Sequence, residues 1–280
     1  MLQRLREFAR RLSDGAEAAV RSERHLRQIV QLQLLDSVIN TPRFHEPRRL
    51  LSSGYKVFSQ GYEDGMIAEV FRRIGVTSRR FIEIGVENGM ECNTAYLLVQ
   101  GWTGIWIEAS HQGAADARSL FRNYEVQVID DRVTAENVDD LVNRLAGADE
   151  LDLLSIDIDF NDYWIWRALN SVRPRLVVIE YNATFSPALR KTIPYNPSLV
   201  WNGSNYFGAT LGALEALAQD KQYSLVGCSP AGVNAFFVRN DLIADHFCSP
   251  FTAVNHYEPP RYGLAGPSGH PPGIGPWVDV

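Results

Sequence analysis

Acidic side chains end two successive apolar runs in the middle of the chain, at spacings that suit proton transfer or metal binding. Asp157 and Asp159 end the first run, Asp162 follows it, and Glu180 and Asn182 end the second run. In strands, residues two apart share one face, and the carboxyl ends of neighbouring parallel strands meet at one edge of the sheet. We therefore expect four acids and an amide to converge. Such a cluster needs either a divalent cation or a protonated carboxylate that can transfer protons.

A glycine-containing turn after an earlier apolar run predicts the binding of a nucleoside without phosphates. Glu83, Gly85, Glu87 and Gly89 form the pattern E-x-G-x-x-x-G, which lacks the close glycine pair that lets a backbone approach a pyrophosphate. The two acids would repel a pyrophosphate but suit a cationic or zwitterionic ligand. Glu108, which ends the next apolar run, can accept both ribose hydroxyls. S-adenosylmethionine, a sulfonium nucleoside with an amino-acid tail, fits these features.

The apolar runs alternate with helical patterns, which predicts an α/β fold with a mostly parallel sheet covered on both faces. The predicted strands are 80–85, 104–108, 126–130, 151–159, 175–182, 223–227 and 234–239. The predicted helices are 90–100, 134–146, 162–171 and 206–219. A short turn without a helix joins the last two strands, so we expect them to pair antiparallel.

The glycine turn and the acids that end the second and third strands resemble those of class I S-adenosylmethionine-dependent methyltransferases. The resemblance implies a three-layer, Rossmann-like sheet of seven strands in the order 3-2-1-4-5-7-6, with the last strand antiparallel. It also implies that the turn holds the methionine part of the cofactor, that Glu108 holds the ribose and that Asp130 or Asp131 meets the adenine. A turn or helix-cap role is the alternative for those two aspartates. The implied cofactor-binding residues are Glu83, Gly85, Glu87, Gly89, Glu108, Asp130 and Asp131.

Two longer segments are similar to FkbM-type methyltransferases, namely LLSIDIDFNDYWIWRAL and PRLVVIEYN. Residues 59–65 (SQGYEDG) are similar to the stretch before the first strand of that family, whereas Phe160 stands where the family usually has glycine. The resemblance covers about residues 55–240. FkbM-type enzymes are not generally regarded as needing a metal, so a carboxylate would act as the catalytic base. The candidates for that base are Asp157, Asp159 and Asp162.

A partial resemblance to cation-dependent sugar O-methyltransferases instead implies Mg²⁺ or a similar divalent cation. Those enzymes place an acid after strand four and further oxygen ligands after strand five, and Asp157, Glu180 and Asn182 are similar to this set. Tyr181 separates the last two, where those enzymes usually have adjacent ligands. A third interpretation is that the acids only cap the helix that begins at Asp162.

The segment after the fifth strand is long for a connection between a strand and a helix, and such loops often carry function. Residues 183–207 contain aromatic and amide side chains that suit a sugar or another polyhydroxylated acceptor. Arg190 and Lys191 leave room for an anionic acceptor.

Composition limits the partners and the location of the chain. The 280 residues carry 27 basic and 33 acidic side chains, a net charge of −6 without a basic stripe, so we expect no nucleic-acid partner. No apolar run reaches about 18 residues, so we expect no membrane span. Three scattered cysteines indicate a reducing, cytoplasmic location.

The sequence divides into three parts. Residues 1–50 are predicted to form a helical extension that caps the site or forms a homodimer, and residues 51–256 are predicted to form the methyltransferase domain. Residues 257–280 are predicted to form a tail rich in proline and glycine.

Together, these features predict an S-adenosylmethionine-dependent O-methyltransferase that acts on a hydroxyl of a sugar, a glycan-like molecule or another small polyhydroxylated acceptor. One alternative is a methyltransferase-like subunit that binds a ligand or partner without turnover. A nicotinamide-dependent oxidoreductase is a further alternative, which the E-x-G-x-x-x-G turn disfavours.

Overall fold

The computed structural model describes residues 39–261 and 278–280, together with separate residues between 19 and 37. The strands are β1 (Arg80–Ile84), β2 (Thr103–Glu108), β3 (Val126–Asp130), β4 (Leu153–Ile156), β5 (Leu176–Glu180), β6 (Lys191–Thr192), β7 (Tyr223–Cys228), β8 (Asn234–Arg239) and β9 (Val278–Asp279). The helices are α1 (Glu63–Ile74), α2 (Ala95–Val99), α3 (His111–Leu120), α4 (Val138–Ala146), α5 (Asp162–Ala168), α6 (Leu211–Asp220) and α7 (Ala253–His256).

Seven strands form one mixed sheet in the order β3-β2-β1-β4-β5-β8-β7. Strand β8 runs antiparallel to both of its neighbours, and the other pairs are parallel. Since the two-residue β6 lies outside this sheet, the order is the predicted 3-2-1-4-5-7-6, and the predicted fold is confirmed. Strand β6 pairs instead with β9 in a small second sheet that the sequence did not predict.

Each face of the large sheet has its own apolar core, which makes the molecule three-layered. Val177 and Ile179 of β5 point to the core formed with α4, α5 and α6. Leu176 and Val178 point the other way, into the core formed with α1, α2 and α3. This alternation gives every residue of the central strands a known face, because successive side chains of a strand point to opposite sides.

Two strands end earlier than predicted, and this changes the positions of the candidate site residues. Strand β4 ends at Ile156, and Asp159 has a left-handed backbone (φ 67°), so the prediction that Asp157 and Asp159 share a strand face is wrong. Strand β5 ends at Glu180. Asn182 therefore lies in the following loop, and not on the strand.

Two helices start later than predicted because polar side chains hold the preceding residues in turns. Helix α2 begins at Ala95, and not at Met90, because Glu83 accepts hydrogen bonds from the backbone just before it. Helix α6 begins at Leu211, where the Thr210 side chain accepts from the backbone N–H of Ala213. Such a cap fixes a helix start at one residue.

Most of the predicted helical extension 1–50 and the proposed dimer contact through it fall outside the described residues, as does most of the predicted tail. The last residues of the predicted extension pack on the domain, because Arg49 donates to Asn255 and Leu50 is 1% exposed. At the other end, Tyr181 donates to the Glu258 carbonyl oxygen. Among the described residues, no helix has the length and apolarity that crossing a membrane requires.

Candidate active site

A cleft of about 740 Å³ opens at the carboxyl edge of the sheet. It is bounded by the glycine turn after β1, the end of β2, the loop after β4, and residues of the segment that follows β5. Its volume is typical of a pocket for a small molecule or cofactor. The position is the one where doubly wound sheets bind ligands, at the carboxyl ends of parallel strands.

Gly85 is required by the close packing of the turn against the loop after β4. Its φ is 84°, and a Cβ atom there would lie 1.8 Å from the carbonyl oxygen of Asp157. Gly89 has φ 85°, and a Cβ atom there would meet the Trp106 ring at 2.6 Å. The two glycines therefore let the turn lie against β4 and β2 and leave its inner side facing the cleft.

Glu83 holds the backbone on the far side of this turn. One of its oxygens accepts from the Asn93 N–H at 2.9 Å, the other from the Thr94 N–H at 3.0 Å, and the Ser155 hydroxyl also donates to it. Burial raises the pKa of Glu83, and these hydrogen bonds oppose the rise. Because donors of the fold use both oxygens, the geometry favours a supporting role for Glu83, although it lines the cleft.

Glu108 connects the end of β2 to the glycine turn. Its Oε2 accepts from the backbone N–H groups of Val86 at 3.0 Å and Glu87 at 2.7 Å, and its Oε1 accepts from the N–H of Ser110 at 2.6 Å. A carboxylate has about four acceptor sites, so the three bonds leave capacity for one further donor. The side chain is 7% exposed and lines the cleft.

The structure separates the two aspartates after β3 that the sequence left as alternatives. Asp130 Oδ2 lies 2.5 Å from Nδ1 of the exposed His111, and Asp130 does not line the cleft. Asp131 lines the cleft, and its backbone N–H donates to the Glu108 carbonyl oxygen at 3.0 Å. Asp131 is therefore the better candidate for an adenine contact.

Three carboxylates converge near the ends of β4 and β5, and two of them, Asp157 and Glu180, line the cleft. Asp157, Asp162 and Glu180 each offer one oxygen, and these oxygens all lie within 4.8 Å of one another. Asp162 Oδ1 accepts from the backbone N–H of Ile158 at 2.9 Å. Asp162 Oδ2 and Glu180 Oε2 are buried, and no donor from the described residues reaches either atom. The predicted convergence of acids at this edge is confirmed for these three.

Loss of hydration disfavours the charged form of all three carboxylates. Burial, and then the nearby carboxylates, raise the pKa of Asp157 and Glu180 well above the usual range. Burial raises the pKa of Asp162 to about 7, against the effect of its backbone hydrogen bonds. Without a positive charge at this place, the cluster holds protons at neutral pH.

Asp159 and Asn182 lie apart from this cluster. Asp159 is exposed at the cleft surface, and its left-handed backbone turns it away from the direction of β4. The Asn182 amide nitrogen donates to the carbonyl oxygens of Asn205 and Phe207, and its oxygen accepts from the Thr184 N–H. Asn182 therefore holds the loop together, and the cluster contains Asp162 where the sequence predicted Asn182.

The cleft is strongly acidic. The acidic residues that line it are Glu83, Glu87, Glu91, Glu108, Asp131, Asp157, Asp159 and Glu180. Arg132 is the one cationic side chain among the described residues that line it. Arg190 is exposed elsewhere, and Lys191 pairs with Asp279 at 2.6 Å, so their positions do not support the predicted role in binding an anionic acceptor.

Side chains of the segment after β5 contribute to the cleft. Leu199, Trp201 and Phe207 are among the residues that line it. The sequence interpretation missed Gln60, which lines the opposite side and donates to Glu91 at 3.3 Å. The available signal was its position in the SQGYEDG segment, which is similar to the stretch before the first strand of FkbM-type methyltransferases.

No protein-family model matches the chain, and no curated protein matches its sequence. Several solved structures have a partly similar fold. They include the magnesium protoporphyrin IX methyltransferase ChlM from Synechocystis PCC 6803 with bound SAH (10% identity, 63% of this chain, 81% of that chain, TM-score 0.44). Another is the O-methyltransferase from Bacillus cereus in complex with SAH (17% identity, 74% and 88%, TM-score 0.42). A third is the N-terminal domain of EvdMO1 with SAH bound (13% identity, 77% and 94%, TM-score 0.42). Because every one of these TM-scores lies below 0.5, the likenesses carry no inference about what this chain binds or does.

Proposed function

We propose that this chain is an S-adenosylmethionine-dependent O-methyltransferase whose acceptor is a small polyhydroxylated molecule such as a sugar. The observation that carries the proposal is the composition of the cleft, which has acids from the ends of β1, β2, β4 and β5 but one cationic side chain among its described lining residues. Such a surface attracts a sulfonium ion and repels the pyrophosphate of a dinucleotide. The same contrast disfavours the nicotinamide-dependent alternative.

The cofactor half of the cleft extends from the glycine turn to the end of β3. Glu108 has acceptor capacity left for a ribose hydroxyl after its three backbone hydrogen bonds. Asp131 lies next to it and is exposed to the cleft. The turn carries the exposed Glu87 and the close backbone approach that Gly85 permits. These groups suit the ribose, the adenine and the charged methionine part respectively.

The acceptor half has carboxylates for the proton that the reaction releases. In the transfer, the bond between the sulfonium sulfur and the methyl carbon breaks as the acceptor oxygen forms a bond to that carbon. The acceptor's hydroxyl proton then needs a base. Asp159 is exposed at the cleft surface and is therefore the candidate for the base. Asp162 has a pKa of about 7, but it is fully buried and does not line the cleft, so an acceptor hydroxyl has no direct access to it.

A divalent cation fits the three converging carboxylates. Hard oxygen ligands suit Mg²⁺ or Mn²⁺, and the two buried oxygens without donors would gain a partner. The three oxygens lie within 4.8 Å of one another, whereas octahedral ligands of Mg²⁺ lie about 3.0 Å apart as neighbours and about 4.2 Å apart on opposite sides, so a bound ion would draw the oxygens together. A bound cation would lower the pKa of an acceptor hydroxyl. Asp157, Asp162 and Glu180 would hold it, and Asp159 would then remain as the base.

The segment after β5 favours an acceptor with a ring and several hydroxyls. Trp201 and Phe207 give aromatic side chains to a cleft that acids also line, a combination that suits the two sides of a sugar ring.

Isothermal titration calorimetry on the full chain tests the cofactor, with S-adenosylhomocysteine and NAD⁺ as ligands. We expect saturable binding of S-adenosylhomocysteine and none of NAD⁺. The reverse result would overturn the proposal in favour of the oxidoreductase. Mass spectrometry then tests whether the methyl group of S-adenosylmethionine is transferred to any of a panel of sugars and polyols. Cofactor binding without such a transfer would favour the alternative, a subunit that binds without turnover.

A further inference from the structure

Two buried acids open helix α1, and their contacts differ. Asp64 Oδ2 accepts from three backbone N–H groups of residues 57–59, so it stabilises its own segment. Glu63 reaches another element, because its Oε1 accepts from Asn234 Nδ2 at 3.1 Å. Its Oε2 accepts from the Gly61 N–H at 2.6 Å. Glu63 therefore joins the SQGYEDG segment to the first residue of β8.

Asn234 lies directly opposite Glu180 in the antiparallel pair of β5 and β8. Directly opposite residues of antiparallel strands point to the same face, with Cβ atoms about 4.5–5.5 Å apart. Val178 and Phe236 are also partners in this pair, and both pack in the core formed with α1. By alternation, Glu180 and Asn234 point to that same face. The side chain of Asn234 is thus the neighbour of a carboxylate in the acid cluster.

The amide oxygen of Asn234 accepts no hydrogen bond from the described residues. Asn234 is 2% exposed, and its Oδ1 is buried without a hydrogen-bond donor in the part of the chain that the structure describes. An ionised carboxylate only accepts hydrogen bonds, so Glu63 must face the NH₂ group, and this fixes which amide atom stays free. Glu180 Oε2 and Asp162 Oδ2 also lack a donor. Three acceptor oxygens without donors in one buried region fit a cation.

We propose that Asn234 supplies its amide oxygen to the divalent-cation site of Asp157, Asp162 and Glu180, and that Glu63 is the positioning residue that orients this oxygen. The inference rests on the cation in the proposed function and deepens it. It gives Asn234 the role that the sequence predicted for Asn182. Carboxylates that orient a metal ligand from outside are a general feature of metal sites, and their loss weakens metal affinity about 10–100-fold.

Electron paramagnetic resonance measures the affinity of the full chain for Mn²⁺ and tests the roles of both residues. Asn234→Ala removes the oxygen and is expected to weaken Mn²⁺ binding at least about tenfold. In Glu63→Gln, the new oxygen takes the Gly61 N–H and the new NH₂ group faces Asn234. The Asn234 amide then turns and presents NH₂ to the cation, so we expect a similar loss. Asn240→Ala, at the other end of β8, is the matched control and should keep the wild-type affinity, since the Asn240 oxygen accepts from Ser224.

The paired exchange of Glu63→Gln with Asn234→Asp separates orientation from general damage. It restores the hydrogen bond with its direction reversed and keeps an oxygen facing the cation, so it should recover Mn²⁺ affinity to within about threefold of wild type. A pair that binds as weakly as Glu63→Gln alone would overturn the positioning role. If the circular dichroism spectrum of Asn234→Ala shows that this variant does not fold, the Mn²⁺ affinities of Glu63→Gln and of the paired exchange test the proposal instead.

Calorimetry with S-adenosylhomocysteine, without metal, distinguishes this inference from the proposed function. We expect all variants to bind S-adenosylhomocysteine within about twofold of wild type, since none of the exchanged residues lines the glycine turn. Wild-type Mn²⁺ affinity in both Asn234→Ala and Glu63→Gln would overturn the inference, as would a wild-type chain that binds no Mn²⁺. Intact Mn²⁺ binding without S-adenosylhomocysteine binding would instead overturn the methyltransferase proposal and leave the cation site standing.

Discussion

Single carboxylates in this protein have roles that their neighbours decide. Glu83, Glu108 and Asp162 are all buried acids near the cleft. Glu83 has all its partners within the fold, Glu108 keeps one acceptor site, and Asp162 leaves a whole oxygen without a donor. The residue type was visible in the sequence, but the number of acceptor sites already used was not, because backbone groups from distant turns supply the donors.

Glu108→Gln is expected to weaken S-adenosylhomocysteine binding about 10–100-fold. The exchange keeps the size of the side chain but removes the charge and puts an NH₂ group against backbone N–H donors of the turn. Loss of charged hydrogen bonds typically costs about 1.5–3 kcal/mol. Calorimetry measures the change, and Asp130→Asn is the control because Asp130 contacts His111 away from the cleft. Equal affinities for Glu108→Gln and wild type would remove Glu108 from the cofactor site.

Asp162→Asn is expected to stabilise the metal-free protein at pH 8, by on the order of 1–3 kcal/mol. Its Oδ1 can still accept from the Ile158 N–H, while a buried charge with a raised pKa disappears. At pH 4 the carboxyl is protonated in the folded protein, so the gain should vanish there. Urea unfolding at both pH values measures it. A variant less stable than wild type at pH 8 would contradict the assignment of an unfavourable buried charge.

At the scale of elements, the sequence predicts which segments are strands better than where they end. Apolar runs carry the signal for β4 and β5, and both runs continue past the last ladder residue in sequence. Beyond β4, the Asp162 side chain accepts from the Ile158 N–H, and Asp159 has a left-handed backbone. Beyond β5, Asn182 donates to the carbonyl oxygens of Asn205 and Phe207, more than twenty residues along the chain. Period-two spacing therefore brought Asp157 and Glu180 to the correct edge, but it also placed Asp159 and Asn182 in the cluster, where the fold does not bring them.

The glycine turn offers a prediction about how two elements approach each other. Gly85→Ala forces a Cβ atom to within 1.8 Å of the Asp157 carbonyl oxygen, so β1 and the loop after β4 must separate. We expect a loss of about 2–4 kcal/mol in the free energy of unfolding and no measurable S-adenosylhomocysteine binding.

Gly75→Ala is the matched control for that exchange. Gly75 has a similar φ of 73°, but nothing lies within 4 Å of its Cβ position. Only the backbone strain remains, on the order of 1–3 kcal/mol because φ 73° with ψ 172° is a conformation that glycine adopts almost exclusively, with wild-type S-adenosylhomocysteine binding. Urea unfolding and calorimetry on both variants compare them. Equal stabilities of the two variants would mean that the close approach at Gly85 contributes nothing.

At the scale of the whole molecule, topology follows from the order of elements, because crossover connections through helices force a parallel sheet and a short turn forces the antiparallel pair. The long segment after β5 carries no such rule. Its β6 pairs with β9 from the end of the chain, nearly ninety residues away, and no local pattern encodes that contact. The path of this segment was thus the part of the fold least accessible from the sequence.

The acid cluster makes the stability of the whole protein depend on pH and on cations. For Asp162, the folded-state pKa of about 7 lies above its ordinary value of 3.8. Between these values the folded state binds more protons than the unfolded state. Without metal, the contribution of this group to the free energy of unfolding therefore falls as the pH rises from about 4 to about 7. Burial raises the pKa of Asp157 and Glu180 as well, so they contribute to the fall in the same direction.

Mg²⁺ or Mn²⁺ should reverse this loss, since a cation binds the carboxylates in competition with protons. At a cation concentration about 100-fold above Kd, we expect about 2.7 kcal/mol of stabilisation at pH 8, or about 5 °C in Tm. At pH 5.5 the rise should be at most about a third as large, because protons occupy the site. Differential scanning calorimetry measures both values, with NaCl at matched ionic strength to separate site binding from general screening of the acidic cleft. A rise in Tm that NaCl reproduces, or one that is larger at pH 5.5 than at pH 8, would contradict a cation held by these three carboxylates.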